Sequence, residues 1–182
     1  ILSLSTQRTE VVSDKRLPGF LFSHWVPLSQ QVISAFQKPT GTEYRFYDYT
    51  TARSEVLGSN LSSVAVAPDG RTLAALKKNS DDSFSVLLSA PDGSDARSIV
   101  STRITEPTLQ WRTATGLAIT SRRADRAGYD LSLMDTQGAV STLLSNKENL
   151  ETRWSPDGDY LLYSYFSSTN GVSLWLRSLA TG

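Results

Sequence analysis

The sequence contains no cysteine, one histidine (His24) and one methionine. Without thiols, disulfides, thiolate chemistry and cysteine-held metals are excluded. A lone histidine with no cysteine also speaks against a catalytic zinc site, which draws its ligands from those residues. No run of eighteen apolar residues occurs, so no helical membrane span is expected. An excess of either charge is missing too: eighteen basic and eighteen acidic side chains give a net charge of zero. Phosphate neutralisation needs a basic excess or a basic face, so a general nucleic-acid binder is not expected. No segment carries a helical 3.6-residue pattern longer than about two turns. The chain opens on Ile1 with neither a Met nor a signal-peptide pattern, which reads as a mature or excised piece. The absence of cysteine fits the cytosol and a bacterial periplasm equally.

What the 182 residues do contain is a repeat, in a composition (39% apolar, 20% charged) typical of a globular domain. Four stretches align without gaps: His24-Trp25-Val26-Pro27, Ala65-Val66-Ala67-Pro68-Asp69-Gly70, Gln110-Trp111-Arg112-Thr113 and Arg153-Trp154-Ser155-Pro156-Asp157-Gly158. Their intervals are 41, 45 and 43 residues. Each is followed by a short apolar strand, at Val32-Ile33, Leu73 to Leu76, Leu117 to Ile119 and Leu161 to Tyr163. A period of about 40–45 residues built from short strands is the signature of a β-propeller. The expected fold is all-β, with four-stranded antiparallel blades and about four repeats.

Within each repeat a first strand leads into the Trp or Val position. A turn of Pro-Asp-Gly type and the apolar second strand follow. Asp-Gly suits such a hairpin because both residues tolerate positive φ. After a polar loop comes a third strand with period-two alternation: Tyr44 and Phe46; Phe84, Val86 and Leu88; Tyr129, Leu131 and Leu133; Val172, Leu174 and Leu176. Fourth strands end near Val56-Leu57, Ile99-Val100 and Leu143-Leu144. At the N-terminus, Ile1 to Leu4 matches a third strand and Glu10 to Val12 a fourth. The expected divisions are 1–16 (the end of a preceding blade), 17–60, 61–103, 104–147 and 148–182 (an incomplete blade). Seventeen strands result, one more than a closed ring of four blades uses. The count favours part of a larger propeller. A four-bladed ring with a frayed extra strand is the alternative.

The run from Arg153 to Ser164, continued by Val172 to Leu176 and Leu179 to Gly182, resembles the WD-like repeat of TolB-type propellers. The same repeat occurs in the propellers of prolyl-oligopeptidase-like enzymes. Val66 to Leu73 is a second good copy. Two copies are degenerate, with Leu28-Ser29 and Ala114-Thr115 where Asp-Gly is expected. The family's third strand ends in Asp. Asp48 and Asp135 match that position, whereas Ala90, Ser178 and Thr6 do not. The resemblance covers essentially the whole chain and implies the fold far more narrowly than the function.

Few residues point to chemistry. Trp25, Trp111 and Trp154 share one repeat position, as expected of large rings filling the space between blades. Trp175 is expected on the sheet face opposite Leu174 and Leu176, between blades or, less favoured, as a ligand platform. Asp69-Gly70, Asp92-Gly93 and Asp157-Gly158 read as turns. Asp157 and Asp159 lack the further carboxylates a calcium loop needs. His24 has no Gly-x-Ser-x-Gly elbow to serve, so a structural or surface role is expected. Asn60-Leu61-Ser62 fits a glycosylation acceptor, a triplet common by chance. Arg122, Arg123 and Arg126, with Asp125 among them, form the one basic cluster and are the candidate binding residues, in a loop next to Ser121. No catalytic residue, metal site or cofactor is expected.

The expected function is a non-enzymatic propeller module that binds a protein or peptide, like a TolB-type scaffold. Two rivals are the access-gating propeller of a prolyl-oligopeptidase-like hydrolase and the extracytoplasmic sensor domain of a membrane-anchored regulator. The resemblance implies a bacterial periplasmic or extracytoplasmic setting, with the cytoplasm as alternative. Open blade edges would also permit self-association.

Overall fold

Sixteen strands form among the described residues, which in this computed structural model are 17–122 and 127–179 together with two short strands near the N-terminus. Those two, β1 (Leu2–Ser3) and β2 (Arg8–Thr9), pair antiparallel. The fourth strand expected at Glu10 to Val12, and Thr6, lie outside the described residues.

The first complete blade is β3 (Phe20–Trp25), β4 (Gln31–Lys38), β5 (Gly41–Asp48) and β6 (Arg53–Val56), paired in chain order. The second is β7 (Leu61–Val66), β8 (Leu73–Lys78), β9 (Phe84–Ser89) and β10 (Arg97–Thr102). The next sheet has six strands in sequence order: β11 (Thr105–Thr113), β12 (Gly116–Arg122), β13 (Tyr129–Asp135), β14 (Val140–Trp154), β15 (Tyr160–Ser167) and β16 (Gly171–Ser178). The long strand β14 serves two blades. Its first half pairs with β13 up to Lys147, and its second half pairs with β15 from Glu148 onward. Asn146 and Asn149 flank that handover at φ of 52° and 50°. Asn adopts this left-handed conformation more readily than most residues, so the strand can change partner there without glycine. All pairings are antiparallel, and no helix forms among the described residues.

Strand periodicity sorts each blade into two faces. The register aligns Ile33 with Phe46, Ala74 with Leu88, Ala118 with Leu133 and Leu162 with Leu176. These pairs form one face, which we call trailing, and in the first three blades it packs on the blade that follows. The opposite, leading face carries Val66, Trp111 or Trp154 and packs on the blade before. Three apolar cores result. Ile33, Tyr44 and Phe46 meet Leu61, Leu73 and Ala75; Leu76, Val86 and Leu88 meet Leu109, Trp111 and Leu117; Ala118, Leu131 and Leu144 meet Leu161 and Trp154. Each fully buried aliphatic side chain contributes roughly 1.5–3 kcal/mol. Stacking of blades therefore supplies the stability that no isolated four-stranded sheet has.

The Asp-Gly turns differ in one detail from the expectation. Gly70 N–H donates to Ala67 C=O and Gly158 N–H to Ser155 C=O, so Pro-Asp are the central residues and Gly is the fourth. Only the glycine has positive φ, at 70° and 77°. Proline presets φ for the first central position, which selects this turn over one with Asp-Gly at its centre. Gly158 also lies against the preceding blade. A Cβ there would stand 2.3 Å from the Arg112 carbonyl oxygen.

Candidate functional site

The first strands β3, β7, β11 and the second half of β14 carry the repeated Trp or Val near their ends, and β7 and β11 touch directly. These strand ends line one side of the stacked sheets, called inner below. A cleft of about 420 Å³ opens there, and its walls include His24, Trp25, Val66, Gln110 and Trp154. Every described blade contributes to it. The three tryptophans of one repeat position are not equivalent. Trp111 is 8% exposed and its indole Nε1–H donates to the Ala65 carbonyl of the second blade at 2.9 Å. Trp154 is half-buried under the Arg112 guanidinium, and its buried Nε1 has no partner. Trp25 is 61% exposed and contacts only Tyr49 among the described rings, at 5.7 Å. Inter-blade core is thus correct for Trp111 and Trp154. For Trp25 it is not, because no described blade stands before the leading face of the first.

His24 is exposed and packs against the Phe22 ring at 5.0 Å. Trp175 does face away from Leu174 and Leu176, towards the third blade, where its neighbour Arg177 donates to the Leu143 carbonyl at 3.1 Å. It is nevertheless 48% exposed, its ring nearly parallel to that of Tyr165, and Tyr165 to Tyr163. Lys147 stands over the Tyr165 ring at 4.4 Å.

Of the basic candidates, Arg122 ends β12 and lies 3.9 Å from Glu106. Glu106 also accepts a hydrogen bond from the Tyr129 hydroxyl at 2.5 Å. That bond, with the carboxylate charge beside it, pushes the phenol up from its ordinary value. Arg123 and Arg126 lie outside the described residues, as does Asp125. The arrangement at Arg122 is a surface ion pair at the end of β12, of a kind worth about 0–1 kcal/mol.

The turn carboxylates are occupied within their own turns. Asp157 accepts from the Ser155 hydroxyl and the Asp159 N–H, Asp92 from the Ser94 hydroxyl and N–H, and Asp69 from the Arg71 N–H. These bonds favour the charged form and hold the carboxyls of Asp157 and Asp92 below their ordinary values. A second, wider cleft of about 970 Å³ lies between the first two blades, lined by polar residues including Lys38, Glu43, Asn60, Lys78 and Asp82. Asn60 is exposed there.

Sequence reasoning missed the arginines that tie blades together. Arg53 at the start of β6 reaches Asp92, and Arg97 at the start of β10 reaches the Thr136 carbonyl. Both spans are 39 residues. Their signal was present: an Arg opens the fourth strand in two successive copies. Arg112 acts across the last junction, donating to the carbonyls of Gly158 and Leu179.

No family model and no curated protein matches the chain in sequence. Solved structures do match in shape. TolB from Acinetobacter baumannii aligns with a TM-score of 0.67 and 13% identity, covering 84% of this chain and 40% of that one. Acylaminoacyl peptidase from Pyrococcus horikoshii aligns at 0.59 and 12% identity, covering 84% of this chain and 31% of that one. The β-propeller domain of the trilobed protease from Pyrococcus furiosus, described as having an open velcro topology, aligns at 0.57 and 10% identity, covering 91% and 59%. The chain therefore spans less than two thirds of each. Together with the strand order and the inter-blade cores, these likenesses establish that the chain has the β-propeller fold of TolB and of peptidase propellers, built from four-stranded antiparallel blades.

Proposed function

We propose that the chain is a non-enzymatic section of a larger propeller and binds a protein or peptide at its inner face. The observation that carries this reading is the cleft of about 420 Å³, to which the first, third and last blades contribute indole, imidazole and amide groups and the second blade aliphatic ones. Apolar walls with a few convergent polar groups are the usual make-up of a recognition site, and a rigid frame of stacked sheets positions them. A bacterial extracytoplasmic setting accompanies the reading and rests on the TolB-type resemblance. Selection of peptides from a displayed library tests it. Peptides binding at least about tenfold more weakly to a His24→Glu/Gln110→Arg variant than to the unaltered chain support the inner face. Failure to select any, or equal binding to both proteins, contradicts it.

A second reading is the gating propeller of a prolyl-oligopeptidase-like hydrolase, favoured by the shape likeness to acylaminoacyl peptidase. It requires a catalytic domain on the same polypeptide. A nucleophile elbow followed by Asp and His in the sequence flanking these residues would establish it. A flanking membrane span and DNA-binding domain would instead establish a sensor.

A further inference from the structure

We infer that the chain modifies itself at Asn170, whose side-chain amide is displaced by the backbone nitrogen of Gly171 to leave aspartate or isoaspartate. Asn170-Gly171 is the one Asn-Gly pair in the sequence. It lies where β15, ending at Ser167, turns into β16, starting at Gly171. Ser167 pairs with Gly171, so Ser168, Thr169 and Asn170 form the tip of the hairpin, and all three are exposed. Tips at this repeat position stay exposed even where a further blade follows, at Pro39, Thr40 and Gly41 in the first blade and at Ser80, Asp81 and Asp82 in the second. The exposure of Asn170 therefore belongs to the hairpin and not to what stands beside its blade.

Two features single out this asparagine. Its side-chain amide makes no hydrogen bond among the described residues, so Cγ can turn towards the main chain. Gly171 has a φ of 70° and open space where a Cβ would stand, so nothing hinders the approach of its nitrogen. The other asparagines lack one feature or the other. The Asn79 amide donates to the Ser83 and Ser85 hydroxyls at 2.8 and 3.0 Å. Asn60, Asn146 and Asn149 precede side chains held in strands. Of these, Leu61 is buried and paired with Lys77, Lys147 is paired with Tyr129, and Leu150 packs on the last core.

The reaction needs water and nothing else. The Gly171 nitrogen gives up its proton and bonds to Cγ of Asn170. The Cγ–Nδ2 bond breaks, Nδ2 leaves as ammonia, and a cyclic imide remains. Water then opens the ring. Cleavage of the new N–Cγ bond leaves aspartate in an unaltered backbone. Cleavage at the Asn170 main-chain carbonyl leaves isoaspartate, which adds a carbon to the backbone and shifts Gly171 out of register with Ser167. Either product puts a carboxylate where the amide was, so the chain goes from a net charge of zero to one negative charge. This chemistry does not depend on the inner face binding any peptide.

Incubation of the folded 182-residue chain at neutral pH, followed by peptide mapping in a mass spectrometer, tests the inference. A free peptide of residues 167–173 serves as the clock. Asn170 in the folded chain should react within about tenfold of the peptide's rate, and faster as pH rises, because the attacking nitrogen must lose its proton. The other asparagines should remain intact over the same time. Gly171→Ala should slow the reaction at least about tenfold, and Asn170→Gln, one methylene longer, should abolish it. Circular dichroism checks that each variant is folded, and Asn170→Gln carries the comparison if Gly171→Ala unfolds. An intact Asn170 after the peptide has fully reacted overturns the inference. So does equal reaction at Asn60 or Asn79, which would mean that the hairpin does not select the site. An unchanged rate in folded Gly171→Ala overturns the part assigned to the glycine.

Discussion

The junction between the second and third blades and the outer face of the last blade carry aliphatic side chains at three shared repeat positions. In the junction, Ala74, Val86 and Leu88 are buried in the core that Leu109, Trp111 and Leu117 complete. On the last blade their counterparts Leu162, Leu174 and Leu176 are exposed. Alternation along a strand decides which side chains share a face, but only a neighbouring sheet decides whether that face is dry. Stability in a repeat of this kind is approximately a sum over nearest-neighbour interfaces, so identical substitutions should cost very different amounts in the two regions.

The largest effect is expected at the turn that presses on a neighbour. Gly158→Val combines a positive φ with a Cβ forced onto the Arg112 carbonyl. A loss of about 3 kcal/mol or more is expected from strain and displaced packing, read from the urea midpoint. A loss below about 1 kcal/mol would mean that the turn does not contact the third blade.

Next comes the tryptophan pair. Trp111→Ala should cost about 3–5 kcal/mol by leaving a cavity between blades, whereas Trp25→Ala, on an exposed face, should cost under about 1 kcal/mol. This contrast is to be measured where the chain is monomeric. Equal losses would mean that Trp25 is covered in solution.

A finer comparison uses the indole nitrogens. Trp111 bonds to Ala65, while the buried nitrogen of Trp154 has no partner. Trp111→Phe should therefore lose about 1 kcal/mol more than Trp154→Phe, because only the first removes a bond and strands a carbonyl. Equilibrium denaturation of both variants measures the difference, and the reverse order would contradict the assigned bonds.

The smallest effect is electrostatic. The carboxyls of Asp48, Asp92 and Asp157 are held below the ordinary value of 3.8, chiefly by the Gln31 amide, the Ser94 hydroxyl and the Ser155 hydroxyl respectively. A folded-state pKa below the unfolded one contributes stability that is fully present at neutral pH and lost as pH falls through the folded value. Asp92→Asn should therefore flatten the acid limb of the stability profile below about pH 4 and leave its slope unchanged near neutrality. An unchanged acid limb would show that these turn bonds do not persist in solution.

Much of this fold was legible in the sequence because its information is local and repeated. The spacing of Trp25, Val66, Trp111 and Trp154 indicated the period, and the alternation at Phe84, Val86 and Leu88 indicated a half-buried strand. The continuity of β14 was not legible, since Asn146 and Asn149 look like ordinary turn residues and reveal a change of sheet partner only in three dimensions. The turn type was misjudged because Asp and Gly were taken as the central pair, although the proline before them already fixes φ at the first central position. The site was far less legible. Exposure of Trp25 and burial of Trp111 depend on what stands beside each blade, and no local pattern records that. Arg112 holds the last junction from a degenerate copy, where the missing Asp-Gly hid its role. Of the basic candidates, Arg122 turns out to be paired with Glu106.

The claim that burial in this chain is conferred by the next blade rests most directly on Leu131 and Leu174, the same residue at the same repeat position. Urea denaturation of Leu131→Ala and Leu174→Ala, at a concentration where the chain is monomeric, compares them. Leu131→Ala is expected to lose about 2–5 kcal/mol and Leu174→Ala under about 1 kcal/mol. Equal losses would contradict the account.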